Sequence, residues 1–371
     1  MKDSSKLSSL LQKREDANAL RELKNNTAHK IDFSSNDYLG FARDLELQKR
    51  IGDASSTIGG LNGSTGSRLV TGSNTLIQET EDSLARHFQQ EASTIFSSGY
   101  MANLAYFSSV PQKGDTVLYD ELSHACIKDG CRLSPAKRFS FKHNNIQDLE
   151  HKLINASGNV FIAVESIYSM DGDMCPLNEI CDLADKHQAF LVVDEAHSTG
   201  LWGNQGQGLV HHLGLKDRVS AVIYTFGKAM GIHGACMAGS STLKSFIINF
   251  ARPFIYTTAP SNHEVISIRE AFEFRKSKTE PAQRLFQLID HFNRRLPRFS
   301  SPSAIKAVVI GGNTETKEAS EKLQEEGFDV RAILSPTVKE GSERLRICLH
   351  SFNTQKEIDF LCDILELKRP E

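Results

Sequence analysis

A chain of 371 residues is long enough for two or three domains, and a hydrophobic share of 39% supplies a real core. Its 43 basic and 46 acidic residues are interspersed and leave a net charge of −3, so there is no electrostatic track for nucleic acid or an anionic membrane. The opening MKDSSKLSSLLQKRED lacks the apolar core of a signal peptide, and no run approaches the ~18 apolar residues of a membrane span, so the cytoplasm is the expected compartment.

In chain order, spaced leucines among charges predict an amphipathic helix over residues 8–24. IDFSSNDYLGF (31–41) reads as a short strand running into turn formers, and a helix follows to about Gly52. The glycine-rich segment 59–74 suits either close backbone approach to a ligand or second subunit, or a plain surface loop. From Thr75 strands and helices alternate. Helix to Gln90, strand 93–97, helix from Tyr100, strand 116–119, helix from Ser123, a strand near Arg138, helix 146–154, strand 160–164, helix 177–186 and strand 190–196 describe a mostly parallel sheet. The strands are continuous apolar runs, as helices on both faces require. After Pro260 the texture changes to charged helices, one strand in AIKAVVIG and another in RLRICLH. The expected organisation is α/β: an N-terminal segment (1–46) packing with a small C-terminal α+β domain (263–371), around a large domain at 47–262. Seven cysteines, scattered from Cys126 to Cys362 without a CxxC pair, read as reduced packing residues, with no disulfide framework and no metal site.

Chemistry concentrates in AVIYTFGKAMGIHGACMAG (221–239). An apolar strand over 221–226 is broken by Gly227, Gly231 and Gly234, which leaves Lys228 on a tight loop at its end. A lysine at a strand end of an α/β sheet can be desolvated until its neutral amine is available, and neutral lysine forms imines with carbonyls, that of pyridoxal phosphate included. A second strand end carries DEAH (194–197), which also spells a helicase magnesium motif. That reading needs a phosphate loop; the chain's Gly227-Lys228 lacks the glycine five residues earlier and the following Ser/Thr, so it fails. Beside Lys228, Asp194 suits pyridoxal phosphate, because a carboxylate against the pyridine nitrogen keeps it protonated and electron-accepting.

Eight segments in order, FSSNDYLG (33–40), SSGYMAN (97–103), ELSHACIKDG (121–130), ESIYSMDGD (165–173), VVDEAHSTG (192–200), TFGKAMG (225–231), IYTT (255–258) and RLRICL (344–349), resemble the α-oxoamine synthases. These are fold-type I pyridoxal phosphate transferases that condense an amino acid with an acyl thioester and release carbon dioxide. The resemblance implies that Lys228 is the Schiff-base lysine and general base, Asp194 holds the ring nitrogen, His197 the phenolic oxygen, and His124 stacks on the ring. It places Ser98, Gly99, Tyr100 and Thr225 at the phosphate, with Thr258 reaching it from the other subunit of a homodimer with shared active sites, and Ser169 near the ring. Ser98 to Tyr100 fall between strand and helix, where backbone N–H groups favour an anion. For the substrate carboxylate it implies Arg346, with Asn36 nearby, and places Arg21 near the substrate. The reaction implied is condensation of L-alanine with a pimeloyl thioester of coenzyme A or acyl carrier protein. Glycine with acetyl-CoA, or serine with a long-chain acyl thioester, keeps the same chemistry. One departure bears on the acyl donor: Leu334 stands where the family commonly has arginine. A non-catalytic binding module of the same fold has no need of Lys228, Asp194, His197 and His124 together.

Overall fold

The computed structural model describes residues 5–23, 29–58 and 62–367. Its twelve strands are β1 (Ile31–Asp32), β2 (Ala92–Phe96), β3 (Thr116–Asp120), β4 (Lys137–Phe141), β5 (Val160–Glu165), β6 (Phe190–Asp194), β7 (Ala221–Thr225), β8 (Ala235–Gly239), β9 (Ile305–Val309), β10 (Phe328–Asp329), β11 (Arg331–Ile333) and β12 (Arg344–Cys348). Two compact units divide the chain. One takes Met1–Tyr38, Met170–Asp173 and Gln283–Glu371, the other Leu39–Ser169 and Met174–Ala282.

The larger unit is built on a seven-stranded sheet of order β2-β8-β7-β6-β5-β3-β4. The expected parallel core is there: β3 pairs β4 and β5, β5 pairs β6, and β6 pairs β7, all parallel. What sequence reading lacked is β8, whose ACMAG has too few branched or aromatic residues to register as a strand. It runs antiparallel to both β7 and β2. Apolar side chains of β5, β6 and β7, among them Phe161, Val192 and Ile223, pack with Tyr106 and Phe107 of the helix Gly99–Ser109.

Composition places the limits of this unit at 46 and 262, whereas packing places them at 38 and 282. The helix Asn262–Ser277 is charged along one side, yet Phe272 meets Phe226 at 5.1 Å and Phe88 at 5.6 Å, and Phe274 meets Phe41 at 5.1 Å. Aromatic edge contacts of this kind hold the helix and the segment from Leu39 to the larger core. The glycine-rich segment, whose residues 59–61 lie outside the described ones, is pinned from Asn62 onward. Ser67 O accepts from the N–H groups of Val70, Thr71 and Gly72, and a Cβ on Gly72 would meet that of Ala259 at 2.2 Å. Arg68 forms a buried, two-pronged ion pair with Glu81 at 2.7 and 3.3 Å. Glu81 also takes Lys244 Nζ at 2.9 Å and the N–H of Ile95 at 2.9 Å.

In the smaller unit β12 is the centre of an antiparallel sheet of order β11-β12-β9, and β1 pairs β10 in parallel. Its first helix spans Ser5–Asp16, not 8–24. Asn18 takes the left-handed conformation (φ 48°) and stops it, so the leucines beyond do not continue a helical stripe. Lys306 on β9 is fully buried, donating to Asn293 Oδ1 at 2.7 Å and Ser301 O at 2.6 Å. Burial pushes its pKa down to about 7. All seven cysteines are buried and unbridged. No helix among the described residues is long and apolar enough to cross a membrane.

Two outcomes follow. Glu81→Leu strands Arg68 without its counter-charge, and the urea midpoint of the unliganded protein falls by the equivalent of ~3–5 kcal/mol. For Lys306 the unfolded chain binds the extra proton between pH ~7 and ~10, so this group makes stability rise with pH across that window and adds nothing further above it. Lys306→Met removes that slope in denaturation curves taken between these pH values; an unchanged slope means the amine is not the titrating group.

Candidate active site

The C-terminal ends of the parallel strands, where α/β sheets gather ligands, carry the cluster that sequence reading placed there. β6 ends in Asp194, buried to 4% exposure. Its Oδ1 accepts from the N–H of Ala196 at 2.8 Å and its Oδ2 from Asn103 Nδ2 at 2.6 Å. Its neighbour Glu195 serves the fold: the carboxylate accepts from the N–H groups of Leu209 and Val210 at 2.7 and 2.6 Å and from the Ser198 hydroxyl, and burial raises its pKa to about 7. His197 is buried beyond it.

β7 ends in Thr225, and Lys228 follows, half-buried, in a loop closed by Phe226 N–H to Gly234 O (2.9 Å) and Gly231 N–H to Lys228 O (2.9 Å). Gly231 has φ +67°, and a Cβ there would stand 2.2 Å from Ala42 N and 2.5 Å from Phe41 C. Only glycine lets the lysine loop lie this close to the Phe41 turn.

β2 leads into Ser98, which caps the helix Gly99–Ser109 by accepting from Met101 N–H at 3.3 Å. A Cβ on Gly99 would reach 2.3 Å from Thr225 Cγ2, so the bare backbone of the helix start and the Thr225 side chain face each other across a cradle. The Thr225 hydroxyl makes only a long 3.5 Å contact to Ala196 O. Tyr100 is exposed and its hydroxyl donates to Asp129.

His124 caps the helix Ala125–Leu133 through Nδ1, which accepts from Cys126 N–H at 3.3 Å. Its own N–H donates to Glu165 Oε1 at 2.6 Å. The residue keeps solvent exposure, while burial of part of the side chain lowers its pKa and the Asp194 charge opposes that shift. Glu165 ends β5 directly opposite Asp194, and burial, followed by the Asp194 charge, raises its pKa to about 8. Ser169 is half-buried and Thr258 exposed, in the loop after the helix Arg252–Ile255. Asn103 and Glu165 were missed as site residues. Both lay inside the motifs SSGYMAN and ESIYSMDGD, but only the fold shows that each side chain ends at Asp194 or His124.

In the smaller unit Arg346, on β12 and 7% exposed, donates from Nη2 to Asn36 Oδ1 at 2.9 Å, and the Tyr38 hydroxyl meets the same oxygen at 3.1 Å. Arg344, two residues away, is committed to Asp171. Arg21 lies in an extended stretch beyond the first helix, exposed, with Nη2 on Thr337 Oγ1 at 2.8 Å. Thr337 follows the Leu334 departure by three residues.

These groups fit pyridoxal phosphate: a helix start kept bare by Gly99 for an anion, a buried carboxylate with its charge held by neutral donors, and a lysine on a fixed loop. The family model for aminotransferase class I and II matches residues 28–365. The chain is 37% identical to 8-amino-7-oxononanoate synthase of Emericella nidulans, over 96% of this chain and 93% of that protein. Among solved structures, Sphingomonas wittichii serine palmitoyltransferase superposes with TM-score 0.90 at 26% identity, covering 99% of this chain and 98% of that one. The Francisella tularensis 8-amino-7-oxononanoate synthase superposes with TM-score 0.80 at 27% identity, covering 92% and 98%.

Gly231→Ala forces a side chain into the Phe41 backbone at a left-handed φ, and the thermal midpoint drops by roughly 5–10 °C. A midpoint within a degree of the parent means the loop has room to move.

Proposed function

We infer the activity from this premise: the chain belongs to the aminotransferase class I and II family and is a pyridoxal phosphate-dependent acyltransferase of the α-oxoamine synthase type. It condenses L-alanine with a pimeloyl thioester to give 8-amino-7-oxononanoate, carbon dioxide and free thiol, a step of biotin synthesis. The observation that carries the chemistry is the meeting of Asp194, His124, Lys228 and the Gly99 helix start in one unit. Identity with 8-amino-7-oxononanoate synthases over nearly the whole chain carries the substrates. The likeness to serine palmitoyltransferase is higher in shape but lower in identity, as expected of a shared fold with different substrates.

When bound, pyridoxal phosphate supplies a carbonyl for amine capture and a ring that accepts the electron pair of a broken C–H bond. The roles of the chain's own residues are as follows. Gly99 and Tyr100 offer backbone N–H groups to the phosphate, with the hydroxyls of Ser98 and Thr225 beside them and Thr258 contributed from a second copy. Asp194 would pair with the ring nitrogen and favour its protonated form. His197 would hold the phenolic oxygen by a hydrogen bond, and Ser169 would contribute near the ring. His124, whose pKa is lowered by burial, would lay its imidazole on the ring face. Lys228 Nζ takes the α-proton of alanine and returns a proton after carbon dioxide departs. Arg346 holds the substrate carboxylate with Asn36 fixing its fork, and Arg21 assists with Thr337. The carrier is coenzyme A or acyl carrier protein; Leu334 in place of the family arginine removes one charge from that region. Homodimer assembly is part of this reading, as is a cytoplasmic location, in keeping with cysteines that are all unbridged.

The test is thiol release by the loaded protein with L-alanine, glycine or L-serine, each paired with pimeloyl-CoA, acetyl-CoA or palmitoyl-CoA. Release is expected with L-alanine and pimeloyl-CoA, and Lys228→Ala lowers it by ~10³-fold or more. Faster turnover of glycine with acetyl-CoA or of serine with palmitoyl-CoA would reassign the substrates, and an active Lys228→Ala would remove the lysine from the mechanism.

A further inference from the structure

Resting on the reading that the cofactor ring lies against Asp194, we propose that Asn103 is the positioning residue of that carboxylate, fixing Asp194 and the phosphate-facing helix start to each other through one amide nitrogen.

Asn103 lies one turn into the helix Gly99–Ser109 and is 1% exposed. Its Nδ2 donates to Asp194 Oδ2 at 2.6 Å and to Gly99 O at 3.2 Å. Both acceptors are oxygens, so a flipped amide would set oxygen against oxygen; the orientation is fixed by chemistry. The other end of the same amide, Oδ1, is buried with no hydrogen-bond partner. A buried orphan acceptor is a penalty that leucine, of nearly the same size and a better helix former, would not incur. Packing therefore does not explain an asparagine at this position, and the Asp194 bond does.

The geometry states what the bond accomplishes. Asp194 Oδ1 is held by Ala196 N–H from its own strand end, and Oδ2 is held by Asn103 from the helix. Two bonds from two elements fix the plane of the carboxylate, and hence the direction in which it meets the ring nitrogen. The second bond to Gly99 O anchors that direction to the backbone at the phosphate cradle, so both ends of one cofactor are registered through a single side chain. The donor must also be neutral. A cation in its place would pair with Asp194 and weaken its hold on the ring proton, and an anion would repel it. The ionisable groups whose charges act at this spot include Glu165, opposite on the neighbouring strand, Glu195, Cys126, His124 and Lys228. None of them substitutes for a fixed donor at Oδ2.

The experiment measures the dissociation constant of pyridoxal phosphate, that of inorganic phosphate, the thermal midpoint of the unliganded protein, and kcat and KM for L-alanine in Asn103→Leu and Asn103→Asp. Asn103→Leu is expected to weaken pyridoxal phosphate about tenfold or more, because a hydrogen bond to a charged group is lost, while the unliganded midpoint shifts by only a few degrees, since the orphan Oδ1 disappears as Asp194 Oδ2 loses its donor. Inorganic phosphate binding stays within about twofold of the parent by the same reasoning, since the backbone cradle is intact. kcat falls with little change in KM. Asn103→Asp, which keeps the shape and reverses the polarity against Asp194, weakens the cofactor further and serves if the leucine variant does not fold. Pyridoxal phosphate binding and kcat unchanged in the folded variants, with only the midpoint lowered, would overturn the proposal and leave Asn103 a packing residue. Parent protein that fails to bind pyridoxal phosphate at all would overturn the functional reading and this proposal with it.

Discussion

Two carboxylates cannot both be ionised where water does not reach them, and the larger unit places two such groups side by side. Glu165 and Asp194 are register partners at the ends of β5 and β6, both nearly without solvent contact. The conflict is settled by unequal surroundings. Asp194 receives a side-chain amide and a backbone N–H, and Lys228 lies among the charges of the site; Glu165 receives the His124 N–H and is pushed towards its protonated form. Burial and the adjoining Asp194 thus favour the neutral form of Glu165, on the strand next to the one that ends beside the lysine loop. The surrounding assignments depend on that asymmetry. If the charge sat on Glu165, it would lie under the backbone of His124 and the ring nitrogen would have no counter-ion.

The two units solve their buried-charge problems differently. In the larger, Glu81 gathers Arg68, Lys244 and a strand N–H, so that the segment before the helix Thr75–Phe88 is tied to β2 by charge as well as by packing. In the smaller, the Lys306 amine hydrogen-bonds only to neutral oxygens, and burial lowers its pKa despite the opposing charge of Asp290. A network with a carboxylate at its centre gives each buried cation a counter-charge. One built from amide and carbonyl oxygens lets the proton go.

Much of the larger unit was legible because continuous apolar runs can only be buried strands: β3, β5, β6 and β7 were each read within a residue or two, and the lysine and aspartate followed from being at their ends. β8 was not legible, since alanine, cysteine and glycine fit a strand only when its neighbours leave no room for more. The first helix was overextended because leucine spacing carries no information about Asn18 adopting a left-handed turn. The unit limits failed to follow composition because Phe272 and Phe274 point inward from a helix that reads as charged. Asn103 and Glu165 were visible as letters in motifs. Their reach to Asp194 and His124 depends on strand order and helix register, which no local pattern encodes.

The strand that sequence reading lacked has a consequence for how the site can change. β8 is the spacer between β7, which delivers Thr225 and Lys228, and β2, which delivers Ser98 and Gly99: Ala235 faces Thr225 on one side and Phe96 on the other. The spacing between β7 and β2 themselves is therefore two strand widths, roughly 9–10 Å, a quantity set by backbone hydrogen bonding and insensitive to side chains. Side chains around the site can change one at a time, but β7 cannot slide relative to β2 without breaking two ladders at once. The fold works here as a fixed-gauge track, and variation in substrate among proteins of this shape has to come from elsewhere than the gauge.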